Sequence, residues 1–277
     1  MEIFQNQKNI LLTLSYDGTN FCGWQKQTKE GTETFRTVQG ELEKALAKIH
    51  KHPIETNGSG RTDSGVHAAR QAVNFFSDIK SMKASNFLPA LNSILPKDIR
   101  VIDAAEVSPL LHARFNALSR TYRYKIKCGK IIFAHEQPYT WHIRRYPDIA
   151  ALNEMASCLS GELDCTAFSA AGDQSISKSR YIKKAVFFIE KDYLIFEICA
   201  NAFLWKMVRS IVGTLLHLDE IGASKKDFKD ILESKMREKA GPTAPPQGLF
   251  LWSIEYPKDL LKTPPDSFYI ESKANYS

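Results

Sequence analysis

Cysteine is scarce in this 277-residue chain, and its five copies are scattered along the sequence without a CxxC pair. An odd and dispersed set argues against a disulfide framework or a zinc cluster and is typical of the reducing cytoplasm. The sequence also lacks any apolar run near the roughly 20 residues that a membrane span needs. The apolar run at residues 10–14 is too short for the core of a secretory signal. We therefore expect a cytoplasmic protein without a membrane segment.

Neither sign of charge is strongly in excess, since 37 basic and 31 acidic residues leave a net charge of +6. This charge permits nucleic-acid binding without requiring it, so the placement of the basic residues matters more than their number. The length allows one large domain or two of ordinary size, and a hydrophobic fraction of 43% is that of a soluble globular protein. After Tyr256 the composition shifts to Pro, Lys and Ser, which predicts a loosely packed tail.

Periodicity predicts an α+β organisation in each half of the chain. The predicted elements are, in order, strand 10–16, helix 37–50, strand 71–76, helix 84–94, strand 100–107, strand 120–127, helix 148–159, strands 185–190 and 193–200, and helix 202–216. Thr37 can cap the first of these helices, and Lys191-Asp192 predicts a hairpin turn. We expect two domains, at 1–110 and 111–277, although no sequence repeat supports a duplication.

One loop carries most of the functional signal. Residues 58–68 read Gly-Ser-Gly-Arg-Thr-Asp-Ser-Gly-Val-His-Ala, which presents a single carboxylate, Asp63, between glycines and two residues after Arg61. Glycine allows a backbone to approach a ligand closely, but an aspartate in such a loop is more often a turn-forming residue. A dinucleotide fingerprint fails because Asp63 occupies its third glycine position, and no Walker A triplet occurs. The tripeptide Asp-Ser-Gly occurs once, so an aspartic-protease dyad would need a homodimer axis through the loop.

The predicted strand 120–127 alternates with period two. Four residues share each face, with Arg120, Tyr122, Tyr124 and Ile126 on one and Thr121, Arg123, Lys125 and Lys127 on the other. The first face can stack on a base and pair with an acid, and the second can lie along phosphates. The same alternation fits an antiparallel strand with core tyrosines and a solvated basic face.

The predicted helix 202–216 is apolar except for a wedge at i, i+4, i+7 and i+11, formed by Ala202, Lys206, Arg209 and Gly213. Arg209 in that wedge either snorkels to solvent or meets an acid, because an unpaired buried charge is too costly. Further on, two prolines and Gly248 make the loop 243–251 rigid and lead it into a strand. Such a loop indicates architecture more often than chemistry.

Taken together, these segments resemble the TruA-type tRNA pseudouridine synthases over nearly the whole chain. The loop differs from that family's Gly-Arg-Thr-Asp-Ala-Gly-Val-His-Ala only at Ser64. Five further blocks follow the family's order: Tyr16-Asp17-Gly18-Thr19 with Gly23-Trp24-Gln25; Thr37-Val38-Gln39-Gly40; His112-Ala113-Arg114-Phe115 with Arg120-Thr121-Tyr122-Arg123-Tyr124; Ala200-Asn201-Ala202-Phe203-Leu204 with Met207-Val208-Arg209; and Gly248-Leu249-Phe250-Leu251.

The resemblance implies the pseudouridine synthase fold, with two related α+β domains whose antiparallel sheets meet at a basic catalytic cleft, and a homodimer. It implies a uridine substrate in the anticodon stem-loop of tRNA, at positions 38 to 40, with neither an organic cofactor nor a catalytic metal. Asp63 corresponds to the catalytic aspartate, and Tyr122 and Arg209 to the other active-site residues. The expected substrate contacts are Arg61 in base flipping, Thr62, Tyr122, Arg114, Phe115, Arg123, Lys125 and the loop 168–172.

This isomerisation breaks an N-glycosidic bond, turns the base and joins C5 to the ribose C1′. A single carboxylate can attack the sugar or the base, or can remove a ribose proton, and the sequence does not choose among these routes. Arg209 is the expected ion-pair partner that keeps Asp63 ionised. Tyr122 is expected to stack on uracil and handle the C5 proton. A non-catalytic tRNA-binding protein is the alternative, although RNA affinity alone does not need the acid.

Three features depart from the family pattern. Arg70 stands where the family commonly has glycine, the segment 27–36 is longer than usual, and Trp205-Lys206 occupies a variable pair. We expect these departures to affect which tRNA positions are modified and not the chemistry.

Overall fold

The computed structural model describes residues 7–29, 32–33 and 35–261. These residues form two compact units, of which the second is Ser119–Leu251. The first unit holds the chain up to Leu118 and the chain from Trp252 onward. These units have other bounds than the domains predicted at 1–110 and 111–277, which stay a prediction. The return of the chain to its first unit depends on non-local packing, which sequence periodicity does not report. From residue 262 onward the predicted loose tail lies outside the described residues. Residues 30, 31 and 34 of the segment 27–36 lie outside them as well.

The first unit is an antiparallel sheet with two helices. Its elements are β1 (Lys8–Tyr16), β2 (Thr28–Lys29), β3 (Thr32–Glu33), α1 (Val38–His50), β4 (Asn57–Gly58), β5 (His67–Ser77), α2 (Phe87–Ile94) and β6 (Ile99–Val107). The strand order is β6-β1-β5, with β4 paired to β5 and β2 paired to β3. The long strands and α1 confirm the sequence predictions to within a few residues. The helix predicted over 84–94 is α-helical only from Phe87, after a 3-10 turn at Ala84–Asn86.

The core of the first unit follows from its register. Leu12 lies opposite Val73 and Ile10 opposite Phe75, and all four are fully buried. Helix α1 begins where Thr37 accepts a hydrogen bond from the amide of Gly40.

The described part of the second unit has three helices and strands that pair antiparallel, apart from β8. Its elements are β7 (Ser119–Cys128), β8 (Trp141–Ile143), α3 (Ile149–Ala156), β9 (Gly161–Asp164), β10 (Ser179–Glu190), β11 (Tyr193–Ala200), α4 (Met207–Glu220), α5 (Lys225–Ser234) and β12 (Leu249–Glu255), the last of which continues into the first unit. The strand order is β7-β11-β10-β9, and β8 adds to β7 in parallel. The predicted β10–β11 hairpin is confirmed and turns at Lys191, whose φ is 55°.

A polar contact holds α3 to the sheet, and an aromatic contact holds α5 to the 3-10 turn at Thr166–Phe168. Asn153 of α3 exchanges two hydrogen bonds with the backbone of Phe187, at 2.9 and 2.7 Å. The ring of Phe228 in α5 stacks on Phe168 at 5.6 Å between centroids. Both units are thus α+β with antiparallel sheets, which confirms the predicted class. Among the residues described above, no helix has the length and apolar character that crossing a bilayer requires.

Candidate active site

The Asp63 loop joins β4 to β5 and folds back as a tight turn. The amide of Val66 donates to the Asp63 carbonyl at 3.1 Å, and Gly65 has a φ of 75°, a value that glycine adopts without penalty. Asp63 itself is half-buried, while Arg61 is exposed. The turn thus fixes the backbone of the predicted catalytic residue and leaves the predicted base-flipping arginine at the surface.

Residues 16–24, at the end of β1 and just after it, form hydrogen bonds to this loop on both sides of Asp63. The amide of Trp24 donates to the carbonyl of Thr62 at 3.0 Å, and the hydroxyls of Tyr16 and Thr62 lie 2.8 Å apart. The carbonyl of Phe21 accepts from the amide of Gly65 at 3.3 Å. Tyr16, Phe21, Trp24 and Thr62 are all at most 7% exposed. These buried bonds hold the loop in one conformation.

Two glycines of the same segment are required by close contact. A Cβ on Gly18 would lie 2.0 Å from the carbonyl oxygen of Val66. Gly23 has a φ of 98°, and a Cβ there would lie 2.6 Å from the carbonyl oxygen of Thr62. A Cβ on Gly60, in contrast, would have no atom within 4 Å. The segment that contains Gly18 and Gly23 thus packs tightly against the loop, whereas the Cβ side of Gly60 is open.

A buried amide fixes the first half of the loop. Gln71 of β5 is fully buried, and its side chain accepts from the Ser59 hydroxyl at 2.5 Å and donates to the Gly60 carbonyl at 2.7 Å. The loop therefore has a fixed base on the side that leads into Arg61 and Asp63.

The second half of the loop ends at a buried imidazole. His67 Nδ1 accepts from the amide of Gly18 at 3.0 Å, and an Asp17 carboxylate oxygen lies 3.3 Å from the same nitrogen. Sequence reasoning assigned no individual role to Tyr16, Gln71 or His67. The sequence signal for Tyr16 and His67 was their place in the family-like segments, and Gln71 was marked only as the start of a predicted strand.

In the second unit, β7 sorts its residues as the alternation predicts. Tyr122, Tyr124 and Ile126 are at most 8% exposed, while the other face is half-buried. Tyr124 is a core residue, since its hydroxyl donates to the carbonyl of Pro245 at 2.6 Å and burial raises its pKa far above 10. Tyr122 meets the ring of Phe203 edge-on, at 5.1 Å between centroids.

The basic face of β7 is balanced by acids of its own unit. Arg123 Nε donates to Glu197 at 2.7 Å, and Lys184 donates to the other oxygen of the same carboxylate at 2.8 Å. Burial opposes the ionisation of Glu197, but these two bonds outweigh it and lower its pKa. Lys125 lies over the ring of Tyr193 at 4.3 Å, and burial lowers the pKa of its ammonium. On this half-buried face, Arg123 is thus paired with an acid and Lys125 lies against an aromatic ring.

Arg209 lies in the first turn of α4, and the helix start differs from the prediction. The predicted helix over 202–216 begins only at Met207, because Lys206 has a φ of 60° and breaks the helical path. The proposed wedge is therefore wrong: Ala202 and Lys206 precede the helix. Gly213 is buried, and a Cβ on it would lie 1.8 Å from the Pro242 carbonyl.

The loop 243–251 holds Arg209 in place. Arg209 Nε donates to the carbonyl of Ala244 at 2.8 Å, and the amide of Ala244 donates to the carbonyl of Arg209 at 3.0 Å. A Cβ on Gly248 would lie 2.6 Å from the Tyr124 ring. The loop has a structural role, as its composition suggested, because its Ala244 holds Arg209, the predicted active-site arginine.

Arg114 and Phe115 are two predicted substrate contacts. They lie in the first unit, shortly before the chain enters the second unit at Ser119. Phe115 is 75% exposed, and the Arg114 guanidinium lies 5.7 Å from its ring centroid. The ring of His112 packs on Phe115 at 4.4 Å, and burial lowers the pKa of His112. An exposed aromatic ring beside an arginine is suited to contact a nucleotide.

Comparison with known proteins identifies the family of this chain. A family model described as tRNA pseudouridine synthase matches residues 13–116 and 155–257. The chain therefore belongs to the tRNA pseudouridine synthase family, the isomerases that convert uridine to pseudouridine in tRNA.

Several relatives share a more specific name. The chain is 95% identical over 268 residues to tRNA pseudouridine synthase A of Treponema denticola, covering 97% of this chain and 100% of that protein. The protein of that name from Treponema pallidum is 55% identical, with 85% and 84% covered, and that from Borreliella afzelii is 42% identical, with 90% and 99% covered. A chain of a solved Cbf5–Nop10–Gar1 complex has a TM-score of 0.34 and 10% identity, covering 76% of this chain and 46% of that one. That likeness is too weak to support an argument.

Proposed function

We propose that this enzyme isomerises uridine in the anticodon stem-loop of tRNA, at positions 38 to 40, with Asp63 as the catalytic residue. The observation that carries the proposal is the construction of the Asp63 loop. Buried hydrogen bonds from Tyr16, Trp24 and Gln71 hold the backbone around a half-buried carboxylate. Fixing a reacting group before the substrate arrives removes part of the entropic barrier to reaction.

Asp63 acts in the ionised state in every route open to it. It attacks the ribose C1′, attacks uracil C6, or takes the C2′ proton, and each route breaks the bond between N1 and C1′ before C5 takes its place. Arg209 is the proposed partner that stabilises the carboxylate. Its Nε bond to the Ala244 carbonyl orients the guanidinium, and the bond from the Ala244 amide to the Arg209 carbonyl fixes the backbone that carries it. Tyr122 stacks on the uracil and accepts or relays the C5 proton.

The remaining contacts serve the RNA backbone and the flipped base. Arg61, exposed beside Asp63, is proposed to replace the base in its stack, at an unstacking cost of a few kcal/mol. Arg114 and Phe115 supply a cation and a ring at one surface. Thr62 acts through its bond to Tyr16 as much as through the substrate. Arg123 and Lys125 remain proposed phosphate contacts, with Arg123 sharing its charge with Glu197.

Two further properties complete the proposal. The family resemblance supports a homodimer, which size-exclusion chromatography with light scattering would detect as twice the chain mass of 31.4 kDa. The five free cysteines and the tRNA substrate support a cytoplasmic location.

The first experiment is tritium release from tRNA that carries 5-³H-uridine. The wild type should release tritium, and Asp63→Asn should release none while keeping its melting temperature and its tRNA affinity. Asp192→Asn, an exposed aspartate in the β10–β11 turn, is the matched control and should behave as wild type. Full activity of Asp63→Asn would remove Asp63 from the mechanism. An inactive wild type that still binds tRNA would favour a binding protein.

Two extensions refine the site and the route. Transcripts in which U38, U39 and U40 are replaced one at a time should lose tritium release only at the replaced position. Deuterium at the ribose C2′ should slow the reaction with a primary isotope effect only if Asp63 removes that proton. No isotope effect would leave the two nucleophilic routes.

A further inference from the structure

Trp205 is 46% exposed, yet its backbone is fixed on both sides. Its amide donates to the Asp173 carboxylate at 2.6 Å, and its carbonyl accepts from the amide of Ala170 at 3.0 Å. Asp173 also receives the Lys178 ammonium at 2.5 Å and the Ser175 amide at 2.9 Å. Burial opposes the ionisation of Asp173, but these bonds outweigh it and hold its pKa well below the usual range. The exposed indole is therefore attached to a rigid loop.

The surroundings of the indole leave much of it open. Gly172, with a φ of 85°, passes close enough that a Cβ there would lie 3.8 Å from the ring. Lys206 takes a left-handed conformation and places its ammonium 4.9 Å from the ring centroid. A left-handed residue other than glycine is uncommon and signals a backbone path imposed by its surroundings. Here the path puts a lysine next to an exposed tryptophan just before α4.

The charge around this loop favours an anionic partner. Between residues 170 and 184 the chain has one acid, Asp173, and four bases, Lys178, Arg180, Lys183 and Lys184. Lys178 neutralises the Asp173 carboxylate and Lys184 pairs with Glu197, so the basic excess of this segment comes from Arg180 and Lys183. Tyr181, 53% exposed, adds a second aromatic ring to the same segment. Exposed aromatic rings among cations are the combination that binds single-stranded nucleic acid, because bases stack while phosphates pair.

We propose that Trp205 and Lys206 form a second RNA-contacting site, in which the indole stacks on an unpaired tRNA base and the ammonium binds an adjacent phosphate. The proposal rests on the proposed function, since an anticodon loop supplies unpaired bases. A base stacked on Trp205 would contribute to which tRNAs the enzyme prefers. Trp205 acts on binding, and the reaction itself stays with Asp63.

The test compares Trp205→Ala, Trp205→Phe and the control Tyr146→Ala, which removes another exposed ring of the same unit. Substrate tRNA binding is measured in the Asp63→Asn background, and kcat and KM are measured with Asp63 present. One lost stacking contact should weaken binding by roughly tenfold and raise KM similarly, with kcat unchanged. Trp205→Phe should recover most of the affinity, and Tyr146→Ala should bind as wild type.

Two readouts report the contact directly. Substrate tRNA should quench tryptophan emission in the wild type more than in Trp205→Phe. Lys206→Ala should make the dependence of log affinity on log salt less steep by about 0.7–0.9, the effect of one phosphate.

Three results would overturn this second site. Unchanged affinity of Trp205→Ala would do so, as would equal losses in Trp205→Ala and Tyr146→Ala. A lower melting temperature of Trp205→Ala, together with no recovery of tRNA affinity in Trp205→Phe, would also do so, because that combination indicates a structural role. Each is distinct from failure of the proposed function, which appears as absent tritium release by the wild type.

Discussion

The hydroxyl of Tyr16 bonds to Thr62, the residue immediately before Asp63. Tyr16→Phe keeps the ring beside Trp24, at 6.2 Å between centroids, and removes the bond to Thr62. We expect a several-fold lower kcat, an unchanged KM for tRNA, and a loss of about 0.5–1.5 kcal/mol in the free energy of unfolding. Single-turnover tritium release and urea denaturation measure the two effects.

Thr62→Val should reproduce the Tyr16→Phe result, and the double variant should add little because both changes remove one bond. Tyr146→Phe is the matched control and should leave both quantities unchanged. Fully additive losses would mean that Thr62 acts through the substrate instead of through Tyr16.

Substitutions at two glycines near Asp63 test packing and substrate access separately. Gly18→Ala should cost about 1–3 kcal/mol in stability, because the new Cβ would overlap the Val66 carbonyl. Gly60→Ala should leave the melting temperature nearly unchanged, since nothing lies within 4 Å of the new methyl group. Gly60→Ala should nevertheless raise KM for tRNA if this open side receives the substrate. Calorimetry and steady-state kinetics test both, and an unchanged KM would place the substrate elsewhere.

At the scale of elements, Glu136 links the segment before β8 to two strands. It accepts from Tyr193 of β11 at 2.6 Å, from the amide of Phe133 at 3.0 Å and from Lys127 of β7 at 3.2 Å. The hydrogen bond from Tyr193 and then that from Phe133 lower the pKa of Glu136 to about 2, and Glu136 raises the pKa of Tyr193 to about 12.

The lowered pKa of Glu136 predicts an acid-dependent loss of stability. Its contribution is fully present above the unfolded pKa of about 4.3 and is lost as the pH falls toward 2. Glu136→Gln should therefore lower the melting temperature at pH 7, and the difference from wild type should shrink between pH 4.5 and 2. Glu154→Gln, at an exposed position on α3, is the control. A difference that is constant with pH would mean that packing, not charge, stabilises this link.

Helix α4 shows where local pattern stops being sufficient. Apolar residues continue at helical spacing upstream of Met207, so the sequence predicts a longer helix than the structure contains. Lys206 interrupts it because the backbone bonds of Trp205 to Ala170 and Asp173 redirect the chain. Helix α5 was missed although Ser224 and Asp227 form a capping box. Its three apolar residues, Phe228, Ile231 and Leu232, do follow helical spacing, but they stand among charged residues in a short segment of low apolar content.

At the scale of the whole molecule, a net charge of +6 predicts salt-dependent tRNA binding. The logarithm of the association constant should fall by about 0.7–0.9 per log unit of salt for each phosphate contacted. Removing one proposed phosphate contact, as in Arg114→Ala, should reduce that slope by one such step. Filter binding across a salt series measures it. Affinity independent of salt would contradict a basic RNA-binding surface.

The sequence by itself determined the features that depend on local chemistry. Alternation set the strands and buried the Tyr122–Tyr124 face of β7, Thr37 capped α1, and the glycine-rich segment predicted a loop around Asp63. Composition and periodicity sufficed there because neighbouring residues decide these features. The roles of Asp63, Tyr122 and Arg209 came from family resemblance and remain predictions.

Only the tertiary structure decided the features made by residues far apart in sequence. The return of the chain at Trp252, the neutralisation of Arg123 by Glu197 and the start of α4 at Met207 belong to this group. So does the buried amide of Gln71 beneath Gly60. Each depends on which non-local partner satisfies a buried polar group, and one-dimensional periodicity does not contain that information.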